Sequence, residues 1–513
     1  MSGVYQKFAH KIKTREELRA LIGPRPRDRK VIMCHGTFDI VHPGHVRHLM
    51  YAKEKADILI ASVTADAHIS KGAHRPYVPQ ELRAANLAAF EFVDYVIIDH
   101  NETPIESIRA LEPDYFAKGF EYQSEPLPPK TREEVAALES YGGEMVFTPG
   151  DVVYSSSALI TAHEPQLRVD KVITLLASES VTVDDLRATL HDLSRIRVHV
   201  VGDTIVDRYS HCSLLGQSAK SPSFSVRLEH ADAFVGGAAV VAKHVKSLGA
   251  QVTLTTVLGQ DDQRRFVTDD LTAAGVGVHA LTDPSRPTTV KERFIADGHR
   301  MLQVDRVDNR IVSDRVRREI TEAIAGEAAD VVIFSDFRHG IFHRTTIPEY
   351  IAAVRPGVLR AADSQVSNRW GNILDFHGFD LITPNEREAR FALADQDSGV
   401  RPLAQALFQR AGCRYLILKL GERGILTYRS PGRLPREFFV VDSFVGRLVD
   451  PIGAGDALLA LATLSLVQSG SIVVASILGS LAAAAACERE GNVPVLIPEV
   501  EDKLDALKRA AGY

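Results

Sequence analysis

Two periodicities alternate along this chain. Short apolar runs at Val31-Ile32-Met33 and at residues 57–63, 198–203, 252–257, 331–334, 380–383 and 415–420 read as strands. Around them apolar residues return at helical spacing, as at Val46, Leu49 and Met50 or at Val172, Leu175 and Leu176. Strand-then-helix alternation predicts parallel α/β sheets covered on both faces. Residues 223–227 and 288–295 alternate more strongly and predict a small lid sheet. Thr14-Arg15-Glu16-Glu17 ahead of Leu18 and Thr182-Val183-Asp184-Asp185 ahead of Leu186 predict helix starts, and Pro24 and Pro26 end the first of these helices. The runs at 457–467 and 472–487 are apolar but broken by Thr, Ser and Gly, so they read as buried helices and not as membrane spans.

A length of 513 residues exceeds one ordinary domain, so at least two are expected. The net charge of −6 gives no overall basic signal for nucleic acid, while local sites for anionic metabolites stay open. Cys34, Cys212, Cys413 and Cys487 are scattered with no C-x-x-C pair. That pattern fits reduced thiols in a cytoplasmic protein better than a disulfide framework or zinc site, and the N-terminus has no apolar core of a signal peptide.

Two stretches carry chemistry. The first is Cys34-His35-Gly36-Thr37-Phe38-Asp39-Ile40-Val41-His42-Pro43-Gly44-His45, a glycine loop between a strand and a helix. Two histidines three apart at a helix start suit a metal, a capped structural pair, or charge building on a phosphate. No third metal ligand lies nearby in sequence. The second stretch is 449–458, with Gly453-Ala454-Gly455-Asp456 ahead of an apolar helix. It reads either as a glycine turn with an Asp cap or as an anion hole with a carboxylate base beside it.

The loop G-T-F-D-I-V-H-P-G-H resembles the signature of the cytidylyltransferase-like nucleotidyltransferases. The resemblance runs on through Thr64-Ala65-Asp66, Lys71-Gly72, Arg75-Pro76, Arg83, Lys118-Gly119 and Tyr154-Ser155-Ser156-Ser157, across residues 29–162. It implies that His42 and His45 stabilise a transferring α-phosphate. Gly36, Thr37 and Phe38 would line the nucleotide phosphates, joined by Ser156 and Ser157, while Lys71 and Lys118 would supply positive charge. The chemistry implied is in-line attack of a sugar phosphate on a nucleoside triphosphate, with pyrophosphate leaving with Mg²⁺.

Residues 197–500 resemble the ribokinase-like (PfkB) carbohydrate kinases, on Val235-Gly236-Gly237-Ala238-Ala239, Thr383-Pro384-Asn385-Glu386-Arg387-Glu388, Leu420-Gly421-Glu422-Arg423-Gly424 and Gly453–Asp456 taken in order. This implies that Asp456 is the base, that Gly453, Ala454 and Gly455 form the γ-phosphate hole, and that Gly421 lies at the nucleotide. Asn385 and Glu388 would organise Mg²⁺ and phosphates through water. Asp207, Gly236 and Gly237 would hold the sugar, with Lys291 and Arg293 on a phosphate already attached to it. Asp336 lies at a strand end that could face the site.

Together the halves resemble bifunctional heptose-7-phosphate kinase/heptose-1-phosphate adenylyltransferases, with the domain order swapped: that family places the kinase first. The fold class implied is α/β, with a Rossmann-like nucleotidyltransferase domain at 1–165, a helical connector at 166–196, and a ribokinase-like α/β domain with a small β lid at 197–513. ATP is the expected nucleotide, with CTP as the alternative in the transferase, and Mg²⁺ the cofactor. The expected partners are these small molecules and a second copy of the chain, with neither nucleic acid nor membrane insertion. Departures stand beside the resemblance. Val240 replaces a common Asn, Ile452 a common Thr, Ser364-Gln365 a Pro-Lys, and Phe120-Glu121-Tyr122 a Gly-Asp-Tyr. They leave open a degenerate, ligand-binding kinase half, and a sensor or scaffold built from both folds.

Overall fold

A computed structural model describes residues 7–69, 76–119, 127–148, 168–217, 223–366, 372–430 and 437–510. They fall into two compact units, Met1–Ser178 and Glu179–Tyr513. The segment 166–196 holds two helices, Arg168–Ser178 in the first unit and Val183–His191 in the second.

The first unit carries five parallel strands: β1 (Val31–Gly36), β2 (Ile58–Thr64), β3 (Tyr95–Asp99), β4 (Tyr115–Gly119) and β5 (Glu144–Thr148). Their order is β3-β2-β1-β4-β5, so strand order reverses between β1 and β4. In an open parallel sheet, ligands bind outside the carboxyl ends of the strands at such a reversal. The Thr14–Glu17 capping box forms as expected at the helix Arg15–Ile22. The centre of the sheet is buried on both sides, which is why Val31 to Cys34 reads as a continuous apolar run.

The second unit adds β6 (Arg197–Gly202), β7 (Thr204–Gln217), β8 (Phe224–Gly237), β9 (Gln251–Leu258), β10 (Gly277–Thr282), β11 (Thr289–Ala296) and β12 (His299–Arg306). After these come β13 (Val331–Asp336), β14 (Leu359–Ser364), β15 (Leu381–Ile382), β16 (Tyr415–Lys419), β17 (Ile425–Arg429) and β18 (Phe438–Val441). The main sheet runs β10-β9-β6-β13-β14-β15-β16-β17-β18, parallel up to β16 and antiparallel beyond. β12-β11-β7-β8 make the lid. The helices Ala454–Ser469 and Ile472–Cys487 pack against each other and are buried almost all round, which explains their uniformly apolar sequences. No helix among the described residues is long and apolar enough to cross a membrane, and all four cysteines are buried and free.

Candidate active sites

In the first unit the loop after β1 and the end of β4 meet the reversal point described above. His42 is the N-cap of the helix Pro43–Lys53, and its Nδ1 accepts from the Gly44 amide at 3.1 Å. An accepting Nδ1 places the ring proton on Nε2. The His42 and His45 ring centroids lie 3.9 Å apart with the planes tilted by 31°. Burial lowers the His42 pKa, and burial together with the charges of His42 and His48 pushes His45 down to about 4. Both rings are therefore neutral N–H donors near pH 7.

What holds this loop is a set of residues the sequence did not single out for a role. Arg83 is fully buried and donates to the carbonyls of Thr64 (2.8 Å), Val78 (2.9 Å) and Thr37, and to the Asp66 carboxylate. Asp39 accepts from the amides of Tyr77 (2.7 Å) and Val78 (2.8 Å). Phe38, between those anchors, sits at φ 48 and packs edge-on against His45 at 5.2 Å. A side chain at Gly36 would come within 3.2 Å of the Phe38 ring, so a glycine there leaves room for the aromatic wall. His35 instead ties β1 to β2 through Ser62 and Thr64. Lys118 is next to last in β4, but its ammonium pairs with the buried carboxylate of Glu134. Lys71, Ser156, Ser157 and Phe120-Glu121-Tyr122 lie outside the described residues.

In the second unit the carboxyl ends of the parallel strands converge. Asp336 ends β13, Asp363 is next to last in β14, Asn385 follows β15, and Lys419 ends β16. Lys419 Nζ bonds both oxygens of Asp363, at 2.9 and 3.1 Å. A Cβ on Gly455 would meet that Nζ at 3.1 Å, so the lysine lies directly against the start of the helix Ala454–Ser469. Gly453 is the N-cap in the left-handed region (φ 80), and no side chain caps the helix. Its first-turn N–H groups are thus placed for an anion. Asp456, in that first turn, is buried, and burial followed by the charges of Asp363, Asp207 and Glu388 pushes its pKa up to about 8 against the pull of Lys419.

Asn385 and Glu388 lock each other in a capping box: the Asn385 amide and Nδ2 each donate to Glu388 at 2.7 Å. Burial and Asp363 raise the Glu388 pKa to about 7. Gly421, at φ 63, begins the turn that follows β16. Asp336 accepts from Ser364 Oγ at 2.7 Å and pairs with Arg338, so its carboxylate is taken up by neighbours.

On the lid, Asp207 Oδ1 accepts from Arg293 at 2.5 Å and Oδ2 from Asn492 at 3.0 Å. Gly236 is required by Asp207, whose Oδ2 lies 2.2 Å from where its Cβ would stand, and Gly237 has φ 65 with the Asp203 carbonyl 2.3 Å from its Cβ position. Arg293 is thus spent on Asp207. Lys291 is largely buried, which lowers its pKa, and lies 5.9 Å from the Phe337 ring centroid. Val240 is wholly buried in the helix Ala238–Ser247.

Asn492 was not anticipated. It is 5% exposed, its Nδ2 reaches Asp207, and its Oδ1, with no hydrogen-bond partner among the described residues, lies 2.6 Å from the Cβ position of Gly453. Asp450 places this amide by accepting from the Ile452 amide at 3.1 Å and the Gly491 amide at 3.4 Å. One side chain therefore bridges the lid carboxylate and the glycine turn. The only hint in sequence is a Gly-Asn pair after a buried helix.

The arrangement in the second unit, a buried carboxylate at an uncapped helix start facing a lid, has the charge and the open N–H groups to receive an anion beside a base. Residues 195–498 match the pfkB family carbohydrate kinase model and residues 33–162 the cytidylyltransferase-like model. The first match spans more than half of the chain, which belongs to the pfkB family of carbohydrate kinases and carries a cytidylyltransferase-like domain ahead of it.

Among curated proteins, "Bifunctional protein HldE" of Pelobacter propionicus is 27% identical over 308 residues, 59% of this chain and 62% of that protein. The protein of the same name from Desulfatibacillum aliphaticivorans is 29% identical over 319 residues, 61% of this chain and 63% of that one. That of Campylobacter jejuni subsp. jejuni is 43% identical over 118 residues, 23% of this chain and 25% of its own length. The chain thus spans less than two thirds of the length of these relatives. Among solved structures, phosphofructokinase-2 from Escherichia coli in complex with potassium aligns with a TM-score of 0.52 at 17% identity, over 61% of this chain and all of that one. At that identity the likeness is one of fold.

Proposed function

We propose that the chain is a bifunctional sugar-activating enzyme. Residues 197–513 phosphorylate the anomeric hydroxyl of a sugar phosphate of the heptose 7-phosphate class at the expense of ATP. The product of that step is a bisphosphate; once a separate phosphatase has hydrolysed the 7-phosphate, residues 1–165 join the sugar 1-phosphate to the α-phosphate of a nucleoside triphosphate, giving a nucleotide sugar of the ADP-heptose class and releasing pyrophosphate. Residues 166–196 connect the two.

The observation that carries this reading is Asp456, buried at an uncapped helix start with Lys419 against the same turn. Asp456 takes the proton of the sugar hydroxyl as its oxygen attacks the γ-phosphorus and ADP leaves. The first-turn amides from Gly453 onward and Lys419 receive the charge on the γ-phosphoryl. Asp207, with Gly236 and Gly237 behind it, orients the sugar. The residues also fit Mg²⁺: Asp363, Glu388 and Asp456 bring three carboxylates to one ammonium, and burial, with the charge of Asp363 added to it, raises the pKa values of Glu388 and Asp456. Glu388, braced by Asn385, would hold the ion through water; it would neutralise phosphate charge. In the first unit the neutral His42 and His45 donate to charge developing at the α-phosphate, and Lys118 serves as a further cation once Glu134 shares it.

A panel of sugar phosphates with ATP and CTP, read by ADP and pyrophosphate release, tests the assignment. If no sugar phosphate of the panel elicits ADP release, while pyrophosphate release persists with a sugar 1-phosphate, only the transferase with a ligand-binding kinase fold would remain. Asn492 argues for the active reading, since it returns a buried amide to a pocket whose expected Asn is Val240. Asn492→Ala is expected to raise KM for the sugar phosphate about tenfold, the worth of one hydrogen bond to a charged group. KM for ATP should stay within about twofold. Equal rises in both constants would contradict this role.

The lid exposes Leu215, Phe224, Leu228, Leu302 and Val304. Apolar residues gathered on one small sheet favour a homodimer paired through its lids. Light scattering should give twice the chain mass of 56.2 kDa; a monomer mass at micromolar concentration contradicts the pairing.

A further inference from the structure

We propose that His211, His230 and Asp232 form a binding site for a divalent transition-metal ion of the zinc class on the lid, separate from the proposed phosphoryl transfer. β7 and β8 run antiparallel with His211 directly opposite His230 and Tyr209 opposite Asp232. Strand alternation puts residues 230 and 232 on one face of β8, and cross-strand pairing puts His211 on the same face of β7. The two imidazoles stack at 4.5 Å between centroids with 10° between planes.

Both rings converge on one oxygen. Nε2 of His211 lies 3.7 Å and Nε2 of His230 lies 3.6 Å from Asp232 Oδ2, and the three ligand atoms lie within 4.8 Å of one another. These separations are too long for hydrogen bonds, so the imidazoles face the carboxylate without being tied to it. They are close to the edge, roughly 3.3 Å, of a tetrahedron with bonds of about 2.0–2.1 Å to zinc. Small rotations about the side-chain bonds close the difference. Two imidazoles and one carboxylate are a donor set for zinc and its neighbours rather than for magnesium or calcium. Three protein ligands leave a fourth position for water.

The site is built by the register of the hairpin. Asp207 and Tyr209 precede His211 by four and two residues in β7, so alternation places all three on one face. A metal ion held across β7 and β8 would clamp the pair of strands further out along the face that carries Asp207.

The test uses the full-length chain stripped with a chelator, and Zn²⁺ as the probe, in competition with a chromophoric chelator at neutral pH. One equivalent should bind with a micromolar or tighter dissociation constant. Asp232→Asn should weaken it at least about tenfold, and His211→Ala with His230→Ala should remove it. His42→Ala with His45→Ala should retain that equivalent, which separates the lid from the histidine pair of the first unit. The lid side chains are partly exposed, so circular dichroism is expected to show the variants folded. Equal zinc affinity in the wild type and the His211→Ala/His230→Ala variant overturns the proposal. So does an anomalous zinc signal in crystals that lies away from the lid.

Discussion

Replacing Asp456 by Asn should lower sugar phosphorylation by about 10²–10⁴-fold, the span of a lost general base, with nucleotidyl transfer from a supplied sugar 1-phosphate unchanged. The substitution keeps the shape of the side chain and removes only its ability to take a proton. The same carboxylate sets the pH dependence. With its pKa at about 8, Asp456 is mostly protonated at pH 6 and mostly ionised at pH 9. The kcat/KM for phosphorylation should therefore climb across that interval, where an aspartate near its ordinary value would give a flat line. Stability should move the other way. A carboxyl whose folded pKa lies above its unfolded value stabilises the fold most below the unfolded pKa, and that contribution is lost as pH rises through the folded pKa. Asp456→Asn should then melt higher than the wild type at pH 9, by a margin that shrinks towards pH 6. Loss of activity with no such gain at high pH would mean that the carboxylate is compensated in the folded protein.

The second large effect lies in the other unit. His42→Ala combined with His45→Ala should cut pyrophosphate release by about 10²–10³-fold or more, the scale seen when a donor to developing charge is removed. The phosphorylation step should persist. Because burial lowers both pKa values, that of His45 to about 4, their contribution should not vary between pH 7 and 9. A transferase profile that falls as pH rises through 6.5 would mean that an imidazolium carries the step.

How much of this was legible follows from where the residues sit in the chain. Asp456 with Gly453–Gly455, and His42 with His45, are contiguous, and local sequence contains the strand-loop-helix geometry that places them. Lys419, Asp363 and Asn492 are not contiguous with anything catalytic; only the parallel order of β14, β15 and β16 and the return of the chain after Cys487 bring them to Asp456 and Asp207. No periodicity in a single sequence encodes that convergence. The lid shows a related limit. Asp207, Arg208 and Tyr209 lie inside the fourteen-residue strand β7, with Asp207 and Tyr209 buried and Arg208 exposed. A buried carboxylate on the inner face breaks the apolar alternation that would mark these residues as strand in the sequence. Arg293 shows the converse: its sequence position suggested a phosphate ligand, and the structure gives its charge to Asp207.

The most direct test of the central claim follows one phosphorus atom through both steps. The full-length chain is given a heptose 7-phosphate, ATP labelled in the γ-phosphate and a phosphatase that removes the 7-phosphate of the bisphosphate, and the products are resolved by mass spectrometry. Two-step activation predicts a nucleotide sugar whose sugar-linked phosphate carries the γ label, formed with one equivalent each of ADP and pyrophosphate. A nucleotide sugar without that label, or labelled sugar 1-phosphate that never becomes a nucleotide sugar with any nucleoside triphosphate, would contradict it.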